Sequence, residues 1–439
     1  MKIGLIQNEA VAGDLSRNLR QVVQEYRKCL DAGADLVIAP AQALDGAFLH
    51  DLATRSSMRL QAQAALEALA SETSLPLLLA SCAGQPGSDA GVRPWLLCGG
   101  RVRALRNRQV VKLCEHDFFL DVGESPTPLP LGKRCDFILH LPCGSWWLGR
   151  DEAWRELAKR EAAEAKAHVL LIQGVGYAEG KLMTGSSFVT DAQGVEIELP
   201  ALKTTARTWR KGARMAVQST ATPPERLLQA TCYSLRSAMH QGGYAALAVD
   251  ASGAPHAPLL LALARLAVGA RHTVALCHKG ESRPYSALAG KCLHLQPMAA
   301  EEHDLLLLNG LSLRQLLLGE HPIPACIGGL FAPLGEMYDS ELRLLQQYVA
   351  TRLPDKLRHV IPPCSAATDN EKENELRRLV EDNAALGEIL STTPQADEAH
   401  LRRLLRRLAA AEAYRPGRPT PLHLRRHLVH LPAHHRHFE

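Results

Sequence analysis

The chain has 439 residues, more than one compact core accommodates, so two or three domains are expected. Apolar residues make up 46% and charged residues 22%, which excludes wholesale disorder. The 50 Lys and Arg against 46 Asp and Glu leave a net charge of +4, too small a bias over this length to point to nucleic acid or a membrane.

The 11 cysteines show no CxxC pair and no regular spacing, which argues for free thiols in a reducing compartment rather than a disulfide framework or a zinc site. The opening MKIGLIQNEA reaches an acid after a very short apolar run, so a secretory signal is not expected. The most apolar stretch, PLLLALARLAVGA, is broken by Arg265 and is too short to span a bilayer. A cytoplasmic location is the expectation.

The N-terminal part alternates strand and helix signals. Residues 2–7 form a short apolar run, and Asp14 or Ser16 can cap the helix that follows. In that helix Leu19, Val22, Val23, Tyr26 and Leu30 recur at helical spacing, and Gly33 ends it. A buried strand at 34–39 closes at Pro40, a helix covers 58–74, and a strand covers 75–81. Residues 95–105 predict a hairpin turning at Gly99-Gly100. Strands are expected at 137–141, 168–174 and 186–191, with a charged helix at 151–167.

Between 202 and 224 the chain carries Lys203, Arg207, Arg210, Lys211 and Arg214 with no nearby acid, then a Pro-Pro pair, which reads as an exposed linker. A second unit follows: helix 225–241, strand 245–250, helix 258–268 and strand 272–277, the layout of a nucleotide-type parallel sheet. Charged helices are expected near 371–390 and 397–413. The tail holds His423, His427, His430, His434, His435 and His437, with no carboxylate or thiol beside them, and reads as a basic surface tail rather than a metal site.

The segments KIGLIQNEAVAGDLSRNL, ADLVIAP, LLCGGRV and GSSFVTDAQG resemble the nitrilase-like glutaminase domain of glutamine-dependent NAD synthetases. ERLLQATCYSLRSAMHQGGY, the turn at Ala251-Ser252-Gly253, GGLFAPLGEMYDSEL and the C-terminal tail resemble their synthetase domain, in the same order. The resemblance implies an α/β protein: a nitrilase-like αββα sandwich at 1–205, a linker at 206–224, and a reduced parallel-sheet synthetase-like domain with a helical C-terminus at 225–439. It also implies a chemistry. A Cys attacks the glutamine amide, a Glu acts as general base and a Lys holds the oxyanion. Ammonia then displaces AMP from an adenylate of deamido-NAD, whose pyrophosphate sits on an SGGxDS turn.

The motif residues depart from that pattern. Where the family reads PELALTGY this chain reads PAQALDGAF, so Ala41 stands at the base position, and strand alternation would point Gln42 to the other face. Arg108 takes the Lys position. Cys143, in LPCGSWW, is assigned to the nucleophile of ICEDLW. A helix, strand and loop that follow the nucleophile in the family are expected to be deleted at about residue 148. At the phosphate turn Ser252 and Gly253 remain, His256 replaces the Asp that would hold Mg²⁺, and Pro255 and Pro258 remove N–H donors. In place of the family's GNKSE…YGD stand Gly310-Leu311-Ser312-Leu313-Arg314 and Pro324-Ala325.

Losses confined to motif residues imply a pseudoenzyme on a NAD synthetase scaffold, with a structural, binding or regulatory role, as a homo-oligomer or beside a catalytic paralogue. No cofactor is then expected. An active enzyme would need Asp45 or Glu115 as base, with ATP and Mg²⁺. A third reading is a new ligand site around His256, His278 and Lys279 at the strand ends.

Overall fold

The computed structural model describes residues 1–46, 48–84, 92–178, 180–215, 221–251, 256–277, 285–294, 304–308, 310 and 330–361, with isolated positions 373, 374, 377, 398, 401, 402, 420 and 421. The histidine-rich tail, Ser252, Gly253, His278, Lys279 and most of the expected C-terminal helices lie outside the described residues. The chain divides into two compact units, Met1–Thr220 and Ala221–Glu439.

In the first unit, β1 (Lys2–Gln7) pairs in parallel with β2 (Leu36–Ala41), which pairs in parallel with β3 (Leu77–Ser81). Helix α1 (Leu15–Asp31) links β1 to β2; Asp14 caps it by accepting from the Arg17 backbone N–H. Helix α2 (Ser56–Ser71) links β2 to β3. The hairpin β4 (Arg93–Cys98) and β5 (Arg101–Ala104) turns at Gly99 and Gly100, both in the left-handed region as a two-residue turn requires.

The second sheet holds β6 (Gln109–Leu113), β7 (His116–Gly123), β8 (Phe137–Pro142), β9 (His168–Leu171), β12 (Phe188–Asp191) and β13 (Gly194–Glu198). Helix α3 (Arg150–Ala165) follows β8, and β10 (Val175–Ala178) and β11 (Lys181–Thr184) form a separate hairpin.

Alternation along each strand sorts the side chains into layers. Ile3, Leu5, Leu36, Ile38 and Leu78 meet Phe118, Leu120, Phe137, Leu139 and Leu170 between the two sheets. Ile6, Val37 and Leu79 face Val22, Tyr26 and Leu66 of the helices outside the first sheet. Phe119, Ile138 and Val169 face Trp154 and Ala158 of α3. Every layer needs an apolar face on both neighbours, and the result is the nitrilase-like αββα sandwich.

Both sheets have six strands, so no strand is missing after Trp147. The strand that the expected deletion removed is β8 itself: β7 and β8 are parallel neighbours, with Gly123 opposite Pro142. What is short is their connection, since residues 124–136 contain no helix.

The linker starts later than expected. Residues Thr205–Arg210 form β14, antiparallel to β1 from Lys2↔Arg210 to Gln7↔Thr205. Trp209 is buried while Arg207, on the same face, and Arg210, on the opposite face, are exposed, so the basic residues belong to a strand rather than to the expected linker, without following a simple alternation.

In the second unit, α4 (Pro223–Gln241) precedes β15 (Ala246–Asp250), α5 (Ala257–Val268) and β16 (Thr273–Cys277). The strands β17 (Lys291–His294), β18 (Leu305–Leu308), β19 (Leu330–Ala332) and β20 (Thr420–Pro421) complete a sheet of order β17-β16-β15-β18-β19-β20. All its pairs are parallel. Helix α6 (Asp339–Arg352) and the short α7 (Asp355–Arg358) follow β19. Strand order reverses at β15, where open parallel sheets place ligands.

Candidate functional site

Ala41 ends β2, is buried, and packs into the layer between the sheets; Cys143, just past β8, packs against the same cluster. The structure thus places these two positions in one layer. The Cys143 thiol donates to the Gly123 carbonyl at 3.2 Å, and its backbone N–H donates to the same oxygen at 2.8 Å. Burial pushes its pKa up to about 11, and the charges of Glu124 and Asp121 act in the same direction.

Gln42 does not continue the strand onto its other face. It takes the left-handed conformation at φ 59°, its N–H donating to the Ala80 carbonyl, and its Oε1 is buried without a hydrogen-bond partner among the described residues. Strain of this kind, about 1 kcal/mol or more, clusters at functional sites.

Neither alternative base is disposed to act on Cys143. Asp45 is fully buried and accepts from Ser81 Oγ at 2.7 Å and Cys82 N at 2.6 Å. Burial raises its pKa against those two hydrogen bonds. Glu115 is 91% exposed, pairs with Lys112 at 3.4 Å, and precedes β7. Cys143 lies past the far end of that strand's partner, roughly 30 Å away at the usual rise per residue.

Arg108 turns away from the inter-sheet layer. Its guanidinium lies 3.7 Å from Asp121 Oδ1 and donates to Thr127 Oγ1 at 3.2 Å. Asp121 belongs to a buried row on the α3 side of the sheet: its Oδ2 lies 2.9 Å from His140 Nδ1, and His140 Nε2 lies 2.9 Å from Glu161 Oε2. Burial disfavours the charged ring, but hydrogen bonds to Asp121 and Glu161 and their attraction outweigh it, and the His140 pKa rises to about 9. The sequence held a signal for this row that went unused: one Asp in FFLDVG and one His in FILHLP, in register as partners.

Beyond Cys143, Arg150 opens α3 fully buried. It donates to Gln173 Oε1 at 2.5 Å and Thr184 Oγ1 at 3.1 Å, meets Asp151 at 3.3 Å, and lies 4.1 Å from the Trp154 ring centroid. Burial lowers its pKa to about 10. Gln173 in turn donates to the Gly144 carbonyl at 3.2 Å, tying this cluster to the loop after Cys143.

In the second unit, β15 ends at Asp250 and His256 caps α5. Ala257 and Pro258 take the first two helical positions, so the helix entrance presents one N–H fewer to an anion. Burial lowers the His256 pKa, opposed by the charge of Asp339. His256, which the sequence comparison sets against the Asp of the SGGxDS turn, is thus half-buried, with its neutral form favoured. Of the GNKSE…YGD counterpart only Gly310 is among the described residues.

The first unit is thus a nitrilase-like sandwich, and the second carries an open parallel sheet of 3-2-1-4-5-6 order that fits a synthetase-like domain. No family model matches the chain. It is 27% identical over 315 residues to the glutamine-dependent NAD(+) synthetase of Rhodobacter capsulatus, a match covering 61% of this chain and 55% of that relative. The chain thus spans about half the length of the curated relative it matches. The glutamine-dependent NAD+ synthetase of Acinetobacter baumannii, solved with ADP, superposes with a TM-score of 0.70 at 15% identity, covering 97% of this chain and 98% of that one. That of Cytophaga hutchinsonii gives 0.78 at 9% identity, covering 96% and 94%. The chain is similar in sequence to a glutamine-dependent NAD(+) synthetase and shares the fold of two solved ones. Among the described residues no helix is long and apolar enough to cross a membrane.

Proposed function

We propose that the chain is a catalytically degenerate homologue of glutamine-dependent NAD synthetase, kept for a structural, binding or regulatory role. The observation that carries this reading is that burial and the charges of Glu124 and Asp121 push the Cys143 pKa up to about 11, while none of the expected base positions is placed to take its proton. Ala41 has no proton acceptor, Asp45 is held by Ser81 and Cys82, and Glu115 sits at the other end of the strands.

The strand order supports a sharper version. The family pattern places a further strand between the nucleophile and the next helix. In this chain β8 is the strand directly before α3, so the nucleophile's strand corresponds to β7. Val122-Gly123-Glu124-Ser125 then matches ICED, with Gly123 in the place of the thiol and Cys143 on the neighbouring strand end. On this reading both the base and the nucleophile are gone. The phosphate turn, with His256 for the Asp, favours the same conclusion for ATP.

The decisive experiment is a glutaminase and NAD-synthesis assay on the purified full chain beside Cys143→Ala. The expected result is no turnover in either. Turnover abolished by Cys143→Ala would overturn the proposal and restore an active, glutamine-hydrolysing synthetase that uses ATP and Mg²⁺. Assembly as a homo-oligomer, or with a catalytic paralogue, in the cytoplasm belongs to the same proposal, and light scattering of the purified chain tests the first form.

A further inference from the structure

At the end of the sandwich opposite Cys143 three potential ligands converge. His168 opens β9, Asp191 closes β12, and Glu196 lies in β13. Thr190 pairs with Val169, so one step further along the ladder Asp191 comes beside His168; the turn to β13 brings Glu196 back. One ligand atom from each lies within 4.8 Å of the others.

We propose that His168, Asp191 and Glu196 form a binding site for one divalent transition-metal cation, with Zn²⁺ as the best-suited ion. The reasoning starts from charge. Glu196 is only 2% exposed, receives a hydrogen bond from Trp209 Nε1 at 2.9 Å on Oε2, and turns Oε1 to the imidazole at 3.7 Å, beyond hydrogen-bond reach. A second carboxylate, Asp191, adds like charge at close range. Burial and this neighbour push the Glu196 pKa up, opposed by Trp209 and Arg214. His168, half-buried beside these carboxylates, brings a ring nitrogen within reach of the same point.

One imidazole and two carboxylates suit zinc better than magnesium, which prefers oxygen ligands alone. Bonds of about 2.1 Å set ligand atoms about 3.4 Å apart around a tetrahedral ion, so the three groups need to close by at most about 1.4 Å. A competing cation is present: Arg214 donates to Asp191 Oδ1 at 2.9 Å and Oδ2 at 3.0 Å. Its side chain is 49% exposed and can swing into solvent, whereas the Asp191 carboxylate stays fixed by the Gln193 and Gly194 N–H groups at 2.8 and 3.0 Å. Trp209 fixes Glu196 from the other side, so two of the three ligands are already oriented.

The test is calorimetric titration of the full chain with Zn²⁺, repeated with Co²⁺ for its visible absorption. The expected result is one equivalent that His168→Ala and Glu196→Gln each weaken at least tenfold, with a Co²⁺ band showing nitrogen and oxygen ligation. Arg214→Ala is expected to fold normally and to bind several-fold more tightly, because it removes the competitor. Zinc binding that these three substitutions leave unchanged, as from the histidine-rich tail or the free thiols, would overturn the proposal. So would no saturable binding to Arg214→Ala.

Discussion

At Cys143 a pKa of about 11 leaves roughly one thiol in ten thousand ionised at pH 7, against a few per cent for an ordinary cysteine. Iodoacetamide at pH 7 is therefore expected to label Cys143 at least ~100-fold more slowly than a free cysteine, measured by peptide mass spectrometry. Fast, selective labelling there would show that some group activates it. His140 makes a complementary case. Its folded pKa of about 9 lies above the 6.5 of an unperturbed ring, so the folded protein holds a proton that the unfolded chain releases first. The stabilisation is complete below pH 6.5, falls as pH rises, and is gone above about 9. Denaturant titrations at several pH values should show it as a stability difference from His140→Gln that shrinks across this window. His140→Ala leaves Asp121 and Glu161 facing each other without their cation, at a cost of about 3–5 kcal/mol.

Among the elements, those with one clear periodicity were legible in the sequence. α1 showed its face at Val22 and Tyr26, and the β4–β5 turn showed its two glycines. β7 was missed because Phe118, Phe119, Leu120 and Val122 are all buried, between the sheets on one face and under α3 on the other, so no alternation marks it. That omission left the end of β8 as the strand end compared with ICEDLW and produced an expected deletion that both complete sheets contradict. β14 was hidden because Arg207 and Arg210 are exposed on its two faces, so no alternation marks it. The His168, Asp191 and Glu196 cluster was not legible at all, since only the folding of β9, β12 and β13 brings it together. Close packing between elements is testable at Gly4, where a Cβ would lie 2.6 Å from Cys29 Cβ and 2.8 Å from its Sγ. Gly4→Val should force β1 and α1 apart and lower stability by about 1–3 kcal/mol or more in urea unfolding.

For the whole molecule, fold and chemistry separate. The second unit keeps the sheet order and its reversal at β15, but the helix there begins His256-Ala257-Pro258 rather than with a row of free donors. Saturating Mg·ATP is expected to leave the melting temperature unchanged, since only a ligand of the native state raises it. A magnesium-dependent rise that Ser252→Ala removes would show that the turn still grips phosphate.

The return of β14 to β1 has a consequence for biosynthesis. β1 leaves the ribosome long before its partner, which ends at Arg210, so its outer edge stays unpaired while some 200 residues are made. At about 5–20 residues per second that interval is roughly 10–40 s. The nascent first unit therefore cannot close strand by strand in order of synthesis. During that interval it exposes the β1 edge, a template for pairing with another chain that a holdase chaperone would have to cover.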